Sequence, residues 1–239
     1  MESNSRKSKG ILIKPYDSFP SLNIGWLSLK DHFISTVGPN SGKGEALKNL
    51  LVIADAKIQP NSSFQKHKHE DMEILTWVIS GTLHHMDNMG ADQFVPPQSL
   101  QLMSARNGIF HAEGNSSQEE LRILQIWISP IEKGGNPEVK FSQVLGTGLQ
   151  LMAGPSKAAL MIRQDLWLFA SIVSGIQKFD IPSHQFGYGV FIGKLKLNQL
   201  DLFDGDGALL DSGEYEVAGE GQFILILQST PETCEVNRS

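Results

Sequence analysis

Apolar residues along this chain fall in short runs rather than in a 3.6-residue rhythm. Leu50 to Ile53, Ile74 to Ile79, Leu121 to Ile128 and Gln222 to Leu227 are the clearest, with Gly, Pro, Asn and Ser between them. Runs of that length, rich in β-branched and aromatic side chains and bounded by turn formers, predict strands of an antiparallel sandwich or barrel. The 23 glycines and 11 prolines suit many turns. One stretch, Pro155 to Phe169, holds Ala158-Ala159-Leu160-Met161 and Gln164-Asp165-Leu166 and is expected to include a short helix.

The segment Ser129-Pro130-Ile131-Glu132-Lys133-Gly134-Gly135-Asn136-Pro137 follows an apolar strand with turn formers and polar residues, and predicts a linker. Division there gives an N-terminal part, 1–133, and a C-terminal part, 134–239, each of domain size. Each has strands, a glycine turn (Ser80-Gly81; Gly205-Asp206-Gly207) and a closing apolar strand, so related folds are expected. Asp201-Leu202-Phe203-Asp204-Gly205-Asp206-Gly207 lacks the ligand order and closing glutamate of a calcium loop and reads as a hairpin turn.

Composition narrows the chemistry. The 239 residues carry 20 Lys+Arg against 26 Asp+Glu, a net charge of −6, and have no run of five or six basic residues. That argues against a direct electrostatic grip on nucleic acid or on anionic membranes. Cys234 is the single cysteine, which excludes an intrachain disulfide, a Cys-rich zinc site and a Cys-x-x-Cys pair. Met1 to Gly10 is polar and basic without the apolar core of a signal peptide, and no run of 18 apolar residues occurs. A cytoplasmic location is expected.

Five of the seven histidines, His67, His69, His84, His85 and His111, lie within 45 residues. Side chains alternate along a strand, so His67 and His69 share a face, as do His111 and Glu113. The second pair arrives about 40 residues after the first, far enough for hairpins to return it. Imidazole suits Zn, Cu, Fe and Ni, and three His with one carboxylate leave open positions for substrate. Glu73 has the parity of His67 and His69 if the strand stays regular, making it a fifth ligand or an acceptor for an imidazole N–H, the latter favoured. His84 and His85 are adjacent and face opposite ways, so both cannot join; a surface or outer role is expected for them. His32 and His184 are assigned nothing.

The runs His67-Lys68-His69-Glu70-Asp71-Met72-Glu73-Ile74-Leu75-Thr76-Trp77-Val78-Ile79-Ser80-Gly81, His85-Met86-Asp87-Asn88-Met89-Gly90, Gln101-Leu102-Met103-Ser104-Ala105 and Gly108-Ile109-Phe110-His111-Ala112-Glu113 resemble the N-terminal cupin of the pirin family. The resemblance covers about Phe64 to Pro130, is fainter over Gly25-Trp26-Leu27, and in the second half extends only to length and strand-rich character. It implies an all-β bicupin, two tandem cupin-type barrels, with metal in the first alone. The family's four metal ligands fall on His67, His69, His111 and Glu113, with Glu73 in reserve. The resemblance also implies one divalent transition metal, iron(II) first, with Zn, Ni, Cu, Mn or Co as alternatives. Pirins include flavonol (quercetin) 2,3-dioxygenases in bacteria and iron-containing transcriptional cofactors in higher organisms.

As a dioxygenase the chain would take a small flavonol-like aromatic and O2, with Glu113 as the base and Leu75, Trp77, Met103 and Phe110 on the pocket wall. The other reading is a metal-containing redox sensor or transcriptional cofactor acting through an unnamed protein partner. The chain departs from the family at the rim: Ser63, Gln65, Gln98 and Arg106 stand where glycine is usual, and Lys68 where proline is. Loss of glycine is expected to reshape that rim.

Overall fold

All four apolar runs become strands in a computed structural model that describes residues 6–34 and 47–230; Cys234 lies outside them. In chain order the strands are β1 (Arg6–Ser8), β2 (Ile11–Lys14), β3 (Ser21–Asn23), β4 (Leu27–Ile34), β5 (Leu50–Ile58), β6 (Ser62–His69) and β7 (Glu73–Ser80). There follow β8 (Leu83–Asp87), β9 (Asp92–Val95), β10 (Ser99–Ser104), β11 (Ile109–Asn115), β12 (Leu121–Ile128) and β13 (Glu138–Gln143). The last are β14 (Gln150–Gly154), β15 (Leu160–Met161), β16 (Leu166–Ile181), β17 (Gln185–Leu197), β18 (Leu200–Leu202), β19 (Asp206–Leu210) and β20 (Gly213–Ser229). No α-helix occurs among the described residues, only a 3-10 turn over Tyr16–Ser18.

The helix expected within Pro155 to Phe169 is therefore absent. Leu160, Ile162, Gln164, Leu166 and Leu168 are all buried, a period of two that only an extended chain can satisfy, and β15 and the start of β16 occupy the segment. The Asp201–Gly207 stretch is not the hairpin turn expected: β18 and β19 both pair antiparallel with β17, so the chain makes a short turn at residues 203–205 without reversing. Asp206 accepts the N–H groups of Tyr16 and Phe203, and Asp204 that of Gly193.

Three sheets form. A four-stranded sheet runs β6-β11-β8-β9, a seven-stranded sheet β13-β10-β7-β12-β5-β4-β3, and a nine-stranded sheet β1-β2-β19-β17-β20-β16-β14-β15 with β18 beside β17. The four- and seven-stranded sheets face one another as a first barrel, with Ile58, Val78, Leu83, Val95, Leu121 and Ile123 among the residues between them. The other face of the seven-stranded sheet packs on the nine-stranded one through Leu75, Trp77, Leu124, Ile126, Leu168, Val190, Ile224 and Ile226. The nine-stranded sheet then curls over a further core that includes Phe191, Phe223, Leu225 and Leu227.

Residues 223–227 thus alternate between two apolar cores, which is why this part of β20 reads as an unbroken apolar run. The long strands bend at glycines. At Gly219 (φ 127°) a β-carbon would lie 2.2 Å from Lys194 O, and beyond that point Val217 and Tyr215 serve the curled core alone.

Strands cross the expected linker in both directions. β13, from beyond residue 133, pairs with β10 in the seven-stranded sheet, and β2 pairs with β19 in the nine-stranded sheet. The linker itself is tied down: Gly134 N–H donates to Asp71, the Arg163 guanidinium donates to Gly134 O, and Asn107 N–H donates to Gly135 O. No helix among the described residues is long and apolar enough to cross a membrane.

Candidate metal centre

The inner face of the four-stranded sheet carries three i, i+2 pairs on adjacent strands: His67/His69 on β6, His111/Glu113 on β11 and His85/Asp87 on β8. Register sets His111 opposite both His67 and Asp87, and Glu113 opposite His85. Between His111 and Glu113 the pairing with β6 slips, placing Glu113 across from Phe64. The imidazoles of His67, His69 and His111 converge with ring centroids 4.5 to 5.2 Å apart. His111 Nε2 and His67 Nε2 lie 3.2 Å from each other, and His67 Nδ1 donates to Gln65 O at 2.7 Å.

Two donor clusters result, each with its ligand atoms within 4.8 Å of one another: His67, His69 and His111, and His85, His111 and Glu113. His67 and His69 are half-buried and mark the mouth; His85, His111 and Glu113 are buried. Of the four residues expected to act together, the three histidines meet, whereas Glu113 stands with His85 and His111 and accepts from Gln125 Nε2. Trp127 sets its ring edge-on to His69 at 5.0 Å.

Electrostatics favour metal-ready imidazoles. Burial, then the neighbouring histidines, pushes His111 down to about 2, and burial and His67 push His69 down to about 4. Both are neutral at pH 7, the form that offers a lone pair. Burial raises the Glu113 carboxyl, against the lowering effects of Gln125, His85 and His67. Burial raises Asp87 too, but hydrogen bonds from His85, Ala91 and Met89 outweigh it and hold Asp87 below its usual range. His85 Nδ1, His111 Nδ1 and Glu113 Oε2 are buried without a hydrogen-bond partner, and a metal cation fits those orphaned atoms.

Several expectations are corrected here. His85 is not at the surface: it is fully buried with its Nε2 3.0 Å from Asp87 Oδ2, while His84 points outward to Asp92 and Ser116. Glu73 is neither ligand nor imidazole acceptor. Asp71 takes φ 49° and ends the regular strand, so Glu73 starts a strand of the other sheet, where it binds Arg163 Nε and Ser104 Oγ, each at 2.8 Å. Leu75 and Trp77 face the core against the nine-stranded sheet, Met103 packs with Ile74 and Ile109, and Phe110 is 44% exposed. Gln125 and Trp127 on β12 stand in their place; their shared parity inside an apolar run was the signal. At the rim, Gln98 (φ 61°) and Arg106 (φ 45°) keep the left-handed backbone without glycine.

A profile of the pirin family matches residues 14–128. A putative quercetin 2,3-dioxygenase of Pasteurella multocida is 34% identical over 189 residues, covering 74% of this chain and 81% of that protein. Quercetin 2,3-dioxygenase of Escherichia coli K12 is 40% identical over 151 residues, 62% of this chain and 65% of that protein. A pirin-like protein of Caulobacter vibrioides is matched over 53% of its length, so the chain spans about half to two thirds of these two curated relatives. The structure of the bacterial pirin YhhW from E. coli in complex with nickel(II) superposes with TM-score 0.81 at 28% identity, over 92% of this chain and 99% of that one. The all-β architecture is that of these cupin-fold proteins, and the chain belongs to the pirin family.

Proposed function

We propose that the protein is a metal-dependent dioxygenase of the pirin type that cleaves a flavonol ring with O2. One observation carries this reading: three convergent imidazoles, two of them reaching a solvent-facing mouth, stand beside a buried carboxylate with an unpartnered oxygen. His67, His69 and His111 hold one divalent transition ion, with Glu113 beside them as the fourth ligand. Iron(II) is the proposed metal, and the nickel(II) of the E. coli relative supports a divalent ion. Such an ion supplies Lewis acidity and an open position for a substrate oxygen.

The chain's own residues do the rest. Gln125 holds Glu113 Oε1, leaving Oε2 to accept the proton of a substrate hydroxyl. Trp127 and His69 form one wall, and the apolar filling between the sheets keeps water from the inner side.

Oxygen uptake by the metal-loaded protein with quercetin tests the reading. Uptake should vanish on chelation and return with metal. Glu113→Gln should keep most of the metal yet lose turnover by about 100-fold or more, because an amide coordinates through oxygen but accepts no proton. A loaded protein that consumes no O2 with any flavonol sinks the dioxygenase reading.

A further inference from the structure

The hydrogen bonds around the histidines determine where each ring keeps its proton. Gln65 O can only accept, so His67 Nδ1 carries hydrogen and His67 Nε2 is a bare lone pair. His111 Nε2, 3.2 Å from that lone pair, is then the N–H donor, and the neutral His111 ring is left with its lone pair on Nδ1. The Asp87 carboxylate takes the Nε2 hydrogen of His85, which puts the His85 lone pair on Nδ1 as well. His85 Nδ1, His111 Nδ1 and Glu113 Oε2 are the buried atoms of this cluster that lack a partner. One ligand atom from each of the three residues lies within 4.8 Å of the others, and with Glu113 ionised the orphaned atoms are three acceptors with no donor among them.

A water molecule donates only two hydrogens and would leave one acceptor bare. A cation satisfies all three at once. The donor set of two imidazole nitrogens and one carboxylate suits zinc, nickel, cobalt, copper or iron(II). Bonds of about 2.0–2.2 Å hold any two ligands of one ion within about 4.4 Å. His85 clusters with His111 and Glu113 but not with His67 or His69, so one ion cannot engage the whole set without movement. Asp87 behind His85 is the outer carboxylate that ligating histidines usually have, and Gly90 and Asn88 lie in the turn it organises through the N–H groups of Met89 and Ala91.

We propose that His85, His111 and Glu113 form a second, inner seat for a divalent transition-metal ion, alternative to the outer seat of His67, His69 and His111. The two seats exclude each other, because a neutral His111 has one lone pair to give. Transfer between them requires the His111 proton to move from one ring nitrogen to the other. The inner seat rests on the same site as the proposed dioxygenase but needs no turnover, so O2 uptake and inner-seat binding succeed or fail separately.

Cobalt(II) alone is the probe, with the full-length chain freed of metal and its folding checked by circular dichroism. His67→Ala/His69→Ala should still bind one equivalent of Co2+ per chain, with a visible spectrum different from that of the wild type. Adding His85→Phe should weaken binding by at least about 100-fold. Asp87→Asn provides a second variant that keeps His85. Met89 and Ala91 N–H both bind Asp87 Oδ1, so the asparagine oxygen takes that place and its NH2 faces His85 Nε2, turning the lone pair away from the seat. In the double-variant background it should weaken Co2+ by about 10-fold or more. A folded double variant that binds no Co2+, or one whose affinity is indifferent to both added substitutions, overturns the inner seat.

Discussion

Gly114 shows how little slack the site has at the level of single residues. A β-carbon there would lie 2.4 Å from Ser63 Cα and 2.5 Å from Ser62 O, backbone that cannot step aside without moving β6 off β11. Gly114→Ala should cost about 1–3 kcal/mol, read from denaturant midpoints, and should weaken metal binding because His67 moves relative to His111. That glycine was invisible as a requirement in the sequence, since its constraint comes from a neighbouring strand. His85 was within reach: Asp87 two residues on shares its face, the same parity that paired His67 with His69. Glu73 misled the same rule, because parity carries only as far as the strand stays regular, and the turn at Asp71 sends Glu73 to another sheet.

At the level of elements, β6 carries two of the proposed ligands and forms the border of the four-stranded sheet, with β11 on one side. A border strand opens more readily than an inner one. An ion held by His67, His69 and His111 clips β6 to β11, so amide hydrogen exchange across Ser62–His69 should slow by about 10-fold or more when metal is bound well above its dissociation constant. Amides of β20 serve as the internal reference, and equal exchange in β6 with and without metal would show that no ion bridges the strands. Runs such as Leu121 to Ile128 announced their strands because both faces of a central sheet are apolar. The full length of the 16-residue β16 and 17-residue β20 was not legible, since Gly175, Gly219 and Gly221 look like turn signals until they are seen to lie inside one continuous strand.

Across the whole molecule, one apolar layer joins the two halves. Leu75, Trp77 and Ile126 from the first touch the cluster that contains Tyr188, Ile224 and Ile226 from the second, and Trp77 Nε1 donates to Gln222 at 2.7 Å. We propose two barrels, 1–133 and 134–239, that are units of architecture but not of stability. A fragment of residues 1–133 loses β13 and exposes that layer, and should be insoluble or fail to bind metal; a soluble, metal-binding fragment would show that the second half is dispensable.

The seam also has a pH signature. His32 lies 2.8 Å from the Tyr188 hydroxyl, and burial, then Lys14 and Arg122, push it down to about 3. Its unfolded form binds a proton near pH 6.5 and its folded form does not, so this part of the stability is complete above 6.5 and is lost as pH falls toward 3. Between pH 6.5 and 5 the loss is about 2 kcal/mol. Because His69 and His111 are pushed down as well, urea unfolding at pH 7.5 and 5 should show a loss in both proteins that is about 2 kcal/mol larger in the wild type than in His32→Gln; equal losses in both would place the effect elsewhere.

The crossing of β2 into the nine-stranded sheet and of β13 into the seven-stranded one has a consequence for how such a chain can change over generations. A recombination joint at Gly134 would leave each daughter with β13 of one parent against β10 of the other, and β2 of one against β19 of the other, so halves drawn from different parents cannot simply be traded. Drift in the C-terminal half is then limited by what the other half tolerates along β2 and β13, and substitutions on the two sides of those pairings are expected to arise in compensating sets.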